Sequence, residues 1–203
     1  ALRESEERFR AVVEGLAVPL YVGIDMRFSY LNPAAVELFG AASAAELIGR
    51  PVMDRIHPSC HEQVRLRADR IQQGQQGGAP ALEEIYIRLD GTQFPVEATA
   101  SPIRFKEQAG AVVFVQDITA RKQAEAAYTR LATAVEQAGD TIVITDTKGT
   151  IQYANPAFER TSGYTRAEAL GQNPRILKSG RQDADFYRGM WDVLTHGKVW
   201  SGH

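Results

Sequence analysis

Two histidines and the single cysteine of the chain lie within five residues, at His57, Cys60 and His61, and are the first candidates for metal chemistry. A thiolate and imidazole nitrogens are ligands that zinc prefers. A closed zinc site needs about four ligands, and the sequence offers no matching group of cysteines and histidines elsewhere. Pro58 also favours placing His57 in the loop before a helix that His61 begins. The sequence therefore predicts no metal site.

The sequence contains no motif of an established catalytic class. His61 and Glu62 are not followed by the second histidine of a zinc-protease helix. Residues 74–78, GQQGG, lack the Lys-Ser/Thr pair of a phosphate-binding loop. Acidic residues are numerous, but no spacing marks two of them as an acid and a base. We therefore expect this part of the protein to be non-catalytic.

The composition is that of an ordinary globular protein. Of the 203 residues, 44% are hydrophobic, and the formal net charge is −2, which gives no general attraction to nucleic acid or acidic lipid. The single Cys60 cannot form an internal disulfide, which favours a reducing compartment. No apolar run approaches the roughly 20 residues that span a bilayer. We expect a cytoplasmic fragment with no membrane segment and no nucleic-acid partner.

One sequence pattern occurs twice. Residues 30–40, YLNPAAVELFG, and residues 153–163, YANPAFERTSG, share Tyr, Asn-Pro-Ala and a closing Gly at one fixed offset. This offset is about the length of one small domain and is too long for a solenoid repeat. The sequence therefore predicts one module in two copies.

Turn and cap residues divide the first copy into elements. Asn32-Pro33 favours a helix start and Gly40 a helix end. Ser43 and Glu46 resemble a capping box, and Asp90-Gly91 is a strong hairpin signal. The predicted elements are an N-terminal helix over 2–14, strands over 18–24 and 28–31, short helices from Asn32 and Ser43, a helix over 59–73, and strands over 82–89, 92–103 and 111–117.

This order of elements favours an α+β fold in which an antiparallel sheet carries helices on one face. Residues of the sheet and the helices would then enclose either a filled core or a small pocket, and the sequence does not separate the two. The predicted lining residues are Tyr21, Phe28, Leu38, Ile56, Val64, Ile71, Tyr86 and Val96.

Residues 119–137 contain strong helix formers and neither glycine nor proline. Small and apolar residues recur every three to four positions, at Ala124, Ala127 or Tyr128, Leu131, Ala134 or Val135, and Ala138. Such a stripe fits a helix packed on its own domain, or a two-chain coiled coil that connects the two copies.

The second copy begins near Thr141. The sequence predicts strands over 141–146 and 150–154, a helix from Asn155, a helix within 179–197, and a strand from Val199. Counterparts of residues 82–117 do not follow, so we expect the natural chain to continue and to complete this sheet.

The repeated motifs together resemble PAS sensory domains. The resemblance includes the Tyr-x-Asn-Pro-Ala segments, the Glu-x-x-Gly steps at 46–49 and 168–171, the hairpin over 88–92, and the triplet Asp117, Ile118 and Thr119. It implies a five-stranded antiparallel sheet with helices on one face, present twice, with the second copy incomplete. It also implies that the triplet couples the sheet to the outgoing helix in signal transmission. Physically, Thr119 is a suitable helix cap, and Asp117 adds favourable charge at the helix start.

Residues 171–203 are similar to the PAS domains of bacterial redox sensors that hold flavin. The residues that carry this similarity are Asn173, Arg175, Ile176, Leu177, Trp191 and Trp200. The resemblance implies FAD or FMN as a cofactor of the second copy. Pro174 stands where light-sensing flavin domains of the LOV class have the reactive cysteine, so light-driven adduct formation is not expected. The alternative is that the two tryptophans are core residues.

The resemblance implies the sensory input region of a bacterial signalling protein. We expect residues 1–17 to form an N-terminal helix, 18–118 PAS domain 1, 119–138 a signalling helix, and 139–203 the first half of PAS domain 2. The expected partners are a small ligand, a second copy of the chain bound through both helices, and a C-terminal output domain. A histidine kinase is the favoured output. The alternatives are a diguanylate cyclase or phosphodiesterase output, and a purely structural dimerisation module.

Overall fold

The computed structural model describes residues 12–72, 79–105, 108–178 and 180–202, and the chain divides into two compact units, residues 1–124 and 125–203. Each unit has its own sheet. Most of the predicted N-terminal helix lies outside the described residues, and residues 12–14 are helical. No helix of the described part is both long and apolar enough to cross a membrane.

The first unit contains a five-stranded sheet in which every neighbouring pair is antiparallel. The strand order β2-β1-β5-β4-β3 places the first and last strands of the unit side by side at its centre. This is the predicted α+β architecture. The strands are β1 (Leu20–Ile24), β2 (Arg27–Leu31), β3 (Ala79–Ile87), β4 (Gln93–Phe105) and β5 (Gln108–Asp117).

Two tight turns shape the sheet. At the predicted hairpin, the Asp90 carboxylate accepts a hydrogen bond from the Thr92 amide at 2.8 Å, and Gly91 adopts a φ of 87° that favours glycine. The β1–β2 turn is less usual, because Asp25 and Met26 have φ values of 48° and 57°. Two consecutive left-handed residues match the twist of a two-residue hairpin, but methionine adopts this conformation at a cost.

Helices cover one face of the sheet in the first unit. Asn32 begins the first helix as predicted, since its side chain accepts a hydrogen bond from the Ala35 amide. The predicted capping box at Ser43 is wrong: Ser43 makes no side-chain cap, and the Glu46 carboxylate instead accepts from the Ala42 amide. The helices are α1 (Pro33–Leu38), 3-10 turns at Ala44–Glu46, Val52–Arg55 and Pro58–Cys60, and α2 (His61–Gln72).

The hydrophobic core of the first unit lies between the sheet and these helices. All eight predicted lining residues belong to this core or pack against it. Tyr21, Phe28, Phe39 and Tyr86 form a chain of aromatic contacts, with neighbouring ring centroids 5.0–5.7 Å apart. Such contacts add to the area that these rings bury and fix the helical layer against the strands.

Helix α3 (Thr119–Gln137) has the predicted bounds and runs from the first unit into the second. The second unit pairs β6 (Val143–Thr145) with β7 (Ile151–Ala154) in a two-stranded sheet. The strand predicted from Val199 is absent from the described residues 198–202, and Val199 is 94% exposed. The helices are α4 (Pro156–Ser162), α5 (Arg166–Ala169), a 3-10 turn at Pro174–Leu177, and α6 (Ala184–Thr195).

Candidate functional site

A cavity lies between the sheet and helix α2 in the first unit. It has an inner pocket of about 60 Å³ and an outer cleft of about 300 Å³, which share the lining residues Gly23, Met26, Ala68, Ile71 and Ala111. The cleft is at the lower end of the volumes typical of small-molecule sites. Glycine and alanine leave this space open because they place little or no side chain between α2 and the strands.

Arg67 on α2 lines the inner pocket and pairs with a buried carboxylate. Arg67 and Glu84 are 5% and 2% exposed, and the Arg67 Nη1 atom lies 2.6 Å from the Glu84 Oε1 atom. The two groups are in ion-pair contact without hydrogen-bond geometry. Nη1 also donates to the Ala98 carbonyl at 3.3 Å. Burial raises the pKa of Glu84, and the charge of Arg67 opposes this rise.

Two tyrosines close the inner side of the same region. The hydroxyls of Tyr21 and Tyr86 lie 3.1 Å apart and form a buried hydrogen bond. Burial raises the pKa of Tyr21 to about 12 and that of Tyr86 well above its usual value. Both hydroxyls therefore stay protonated at physiological pH, and they contribute polarity without charge.

The histidines and the cysteine of the first unit make structural contacts. The His61 Nε2 atom donates to the carbonyls of Ile56 and Met53, at 2.9 and 3.2 Å. The His57 Nδ1 atom accepts from the Ser59 amide, and the Cys60 thiol accepts from the Ile85 amide at 3.4 Å. These contacts fix the segment before α2 against β3. The described residues contain no group of three or more metal-ligating side chains that could hold a metal ion.

The predicted coupling triplet lies where β5 ends and α3 begins. The Asp117 carboxylate accepts from the Thr119 amide at 2.8 Å, and it pairs with the Arg88 guanidinium at 3.1 Å. Ile118 is buried in the first unit. The predicted cap by Thr119 is wrong, because the Thr119 hydroxyl has no hydrogen-bond partner within the described residues. Asp117 lies two residues before the helix start, and its carboxylate accepts from the amide of the first helical residue.

Sequence reasoning missed a second contact between the sheet and α3. Arg121 lies 3.1 Å from Glu83 and 3.4 Å from Glu97, and Lys122 lies 2.6 Å from Glu83. The hydrogen bond from Lys122 is the main cause that lowers the pKa of Glu83. Glu83 and Glu84 are adjacent in β3, so their side chains lie on opposite faces of the sheet. Glu84 contacts Arg67 at the cavity, and Glu83 contacts Arg121 and Lys122 on α3.

The other end of α3 is bound to the second unit. The Glu136 carboxylate accepts from the Tyr153 hydroxyl at 2.7 Å and from Arg166 at 2.8 and 3.2 Å. The Asn155 amide donates to the carbonyls of Val135 and Asp140. Between its two bound ends, α3 exposes Tyr128 and Leu131.

The residues predicted to hold flavin occupy three places in the second unit. Asn173 caps the 3-10 turn and donates to the Gly149 carbonyl at 3.0 Å, so both ends of its amide bond within the chain. The Trp191 ring packs on Gly149, where an added Cβ would lie 2.9 Å from it. Ile176 packs on the small core, whereas Arg175 and Leu177 are exposed. Trp200 contacts Phe186 edge to face. Beyond its two contacts within the chain, the Asn173 amide group retains one N–H donor and one oxygen lone pair.

The first unit thus combines an antiparallel five-stranded sheet with helices and a small cavity on one face of the sheet. The chain belongs to the PAS family: the model of the PAS fold matches residues 7–118 and residues 129–203.

Curated proteins and a solved structure resemble this chain. It is 46% identical over 70 residues to a nitrogen fixation regulatory protein of Klebsiella pneumoniae, covering 34% of this chain and 14% of that protein. It is 32% identical over 115 residues to sporulation kinase A of Bacillus subtilis, covering 57% of this chain and 19% of the kinase. The crystal structure of a PAS domain from Colwellia psychrerythraea superposes with a TM-score of 0.50 at 21% identity, over 58% of this chain and 99% of that one. The chain thus spans less than a fifth of both curated relatives.

Proposed function

We propose that the chain is the sensory input region of a bacterial signalling protein, in which the first-unit cavity binds a small molecule and α3 transmits the result. One observation carries the proposal: β3 joins the cavity to the outgoing helix. Glu84 on β3 pairs with Arg67 at the cavity, and the adjacent Glu83 pairs with Arg121 and Lys122 on α3. A ligand that shifts α2 and Arg67 would therefore displace the strand that holds α3.

The proposal assigns a role to each segment. Residues 18–118 are PAS domain 1, residues 119–138 the signalling helix, and residues 139–203 the first half of PAS domain 2, with an N-terminal helix over 1–17. Asp117, Ile118 and Thr119 couple β5 to α3. The contacts of Asp117 with Arg88 and with the Thr119 amide support this assignment.

Hydrogen–deuterium exchange tests this route. Small-molecule mixtures would be screened against the purified chain by native mass spectrometry, and exchange would be followed with and without each compound that binds. We expect slower exchange in α2 and β3 and a changed rate at residues 117–124. The matched control is Glu83→Gln with Glu97→Gln, which leaves the cavity intact and removes the carboxylates that pair with Arg121 and Lys122. Equal changes at residues 117–124 in this variant and in the parent would contradict the route through β3.

The favoured output of the whole protein is a cytoplasmic histidine kinase. The similarity to sporulation kinase A supports this choice. A diguanylate cyclase or phosphodiesterase is the alternative. Autophosphorylation of the full-length protein on histidine, changed by Asp117→Ala in the coupling triplet, is the expected result. Cyclic-dinucleotide synthesis or hydrolysis without autophosphorylation would contradict it.

We also propose that the chain dimerises through α3 and the N-terminal helix. The supporting observation is an apolar stripe on α3 in which Tyr128 and Leu131 are 76% and 68% exposed. An exposed stripe at helical spacing fits the same stripe of a second copy. Sedimentation velocity across a range of concentrations should show a dimer that the double substitution Tyr128→Glu and Leu131→Glu dissociates. A parent chain that stays monomeric at the highest concentration would rule out the dimer.

Flavin in the second unit is tested by an absorption spectrum of the full-length protein. FAD or FMN bound near Asn173, Trp191 and Trp200 would give visible bands that Asn173→Ala removes. A colourless protein would instead support the role of both tryptophans as packing residues, which their contacts with Gly149 and Phe186 favour.

A further inference from the structure

The charged residues that line the first-unit cavity balance one another in both the inner pocket and the outer cleft. In the inner pocket, Arg67 is paired with Glu84. The outer cleft is bordered by one acidic and one basic residue, Asp25 and Arg104. Among the described residues, the remaining lining is apolar apart from the Tyr21 hydroxyl, which is bound to that of Tyr86. The site therefore has no surplus charge for a ligand of either sign.

The buried ion pair determines which ligands the inner pocket accepts. Glu84 is fully covered and already neutralises Arg67. An anion that entered beside Arg67 would leave one buried negative charge without a partner, and a buried unpaired charge is strongly unfavourable. A cation would meet Arg67 itself. An uncharged molecule avoids both penalties.

Arg67 still has hydrogen-bond donors to offer. A guanidinium group carries five N–H donors. In the described part of the chain, the hydrogen bond from Arg67 to the Ala98 carbonyl and its shortest contact with Glu84 are both made by Nη1, and Nε and Nη2 make no hydrogen bond. The N–H groups on Nε and Nη2 are thus available to an acceptor in the inner pocket.

The β1–β2 turn places an apolar side chain where the inner pocket meets the outer cleft. Met26 lines both the inner pocket and the outer cleft, and its carbonyl accepts from the Val52 amide at 2.8 Å. Its φ of 57° lies in the left-handed region that residues other than glycine rarely adopt. Strained residues that the surrounding structure holds in place are concentrated at ligand sites.

We propose, on the basis of the sensory function above, that this cavity binds a small uncharged organic molecule. Its hydrogen-bond acceptor contacts Arg67, and its apolar part lies between Met26, Ala68 and Ala111. Glu84 is the internal counter-ion that excludes carboxylates. A primary amide or a short alcohol with a branched alkyl group has the required size and chemistry.

A series of three ligands that differ in charge tests this proposal. Isovaleramide, isovalerate and isoamylamine have similar shapes and are neutral, negative and positive at pH 7. Saturation-transfer NMR on the 203-residue chain should detect isovaleramide, with isovalerate at least about tenfold weaker because it leaves a buried charge unpaired. Ala68→Leu, which fills the shared lining, should abolish the signal, and Arg65→Ala on the exposed side of α2 should preserve it.

A charge-changing variant separates the ligand class from the existence of the site. Glu84→Gln leaves Arg67 without its counter-ion, so isovalerate should become the preferred ligand. Preference for isovalerate by the parent chain, lost in Ala68→Leu, would overturn the uncharged class and leave the sensory function standing. Binding of none of the three compounds, with the parent chain folded by circular dichroism, would overturn the cavity as a site for molecules of this size. If Glu84→Gln fails to fold, the parent and Ala68→Leu still decide between these outcomes.

Discussion

The two units use one motif in the same way and differ in what they build around it. Asn32 accepts from the amides of Leu20 and Ala35, and its amide group donates to the Val18 carbonyl. Asn155 accepts from the amides of Ile142 and Phe158 and donates to the Asp140 carbonyl. Both asparagines are fully buried. In each unit the repeated Asn-Pro-Ala segment therefore joins a strand to a helix, and it is not a ligand site.

The two units differ in how completely their strands and helices enclose a core. In the first unit, five strands and helix α2 enclose a core and a cavity. In the second, the buried cluster consists of Ile151, Ala154, Phe158 and Ala169, and helix α6 keeps Trp191 and Leu194 partly exposed. A motif of three residues thus fixes a local connection, whereas a binding cavity depends on strands that are distant in sequence.

Breaking the buried ion pair between Arg67 and Glu84 should cause the largest loss of stability. This pair has no counterpart among the described residues of the second unit. Arg67→Met should destabilise the first unit by about 3–5 kcal/mol at pH 8, because it leaves Glu84 buried without a partner. Urea unfolding followed by circular dichroism measures this loss. The double variant Arg67→Met with Glu84→Leu is the control and should recover most of the stability.

The loss should also depend on pH in a defined direction. Burial raises the folded-state pKa of Glu84, and removing Arg67 raises it further. The destabilisation caused by the unpaired Glu84 carboxylate is therefore complete above the folded-state pKa of Glu84. It disappears as the pH falls toward the pKa of Glu84 in the unfolded chain, since the protonated acid carries no charge. Arg67→Met should be less destabilised at pH 5 than at pH 8. A loss that is independent of pH would mean that packing, rather than charge, causes it.

Replacing either of the two buried asparagines should cause the next largest loss of stability. Asn32→Ala and Asn155→Ala should each cost about 3 kcal/mol within their own unit, because several buried backbone groups lose their partners at once. Both tryptophans of the chain lie in the second unit, so their fluorescence reports on that unit, whereas circular dichroism reports on both. Asn32→Ala should leave the fluorescence transition in place. A shift of that transition equal to the one in Asn155→Ala would show that the units unfold together.

The sequence predicted the backbone of the first unit well, because periodicity and turn residues act locally. The five strands, the bounds of α3 and the hairpin at Asp90-Gly91 follow from such signals. The pairing of Arg67 with Glu84 was missed, although a signal existed. Arg67 lies on the helix face of Val64 and Ile71, and Glu84 alternates with Leu82 and Tyr86 on the inner face of β3.

Other features depended on geometry that sequence patterns do not specify. The capping box expected at Ser43 requires a regular first turn, and a 3-10 turn is found there. A true capping box forms in the second unit between Thr165 and Glu168, where the same spacing was present. The partners of Arg121 lie on strands 24 and 38 residues away, so no local pattern indicates them.

A smaller effect distinguishes the residues of the coupling triplet. Asp117→Ala should cost about 1 kcal/mol, the usual net value of one hydrogen bond, because Asp117 accepts from the Thr119 amide at the helix start. Thr119→Ala should cost less, since its buried hydroxyl has no partner among the described residues. Thermal unfolding of the two variants ranks them. A larger loss in Thr119→Ala than in Asp117→Ala would restore threonine as the cap.

The smallest effect concerns the second end of α3. The hydrogen bond from Tyr153, followed by that from Arg166, lowers the pKa of Glu136 below its ordinary value. A carboxylate with a lowered folded pKa stabilises the fold above its unfolded value, and this contribution is lost as the pH falls through the folded value. Amide exchange at residues 134–138 should therefore become faster on acidification below the unfolded pKa, after correction for the intrinsic pH dependence of exchange. Glu136→Gln should exchange fast throughout, and Glu125→Gln, in the exposed part of α3, is the matched control. If Glu136→Gln keeps the pH response of the parent, another group holds the helix to the second unit.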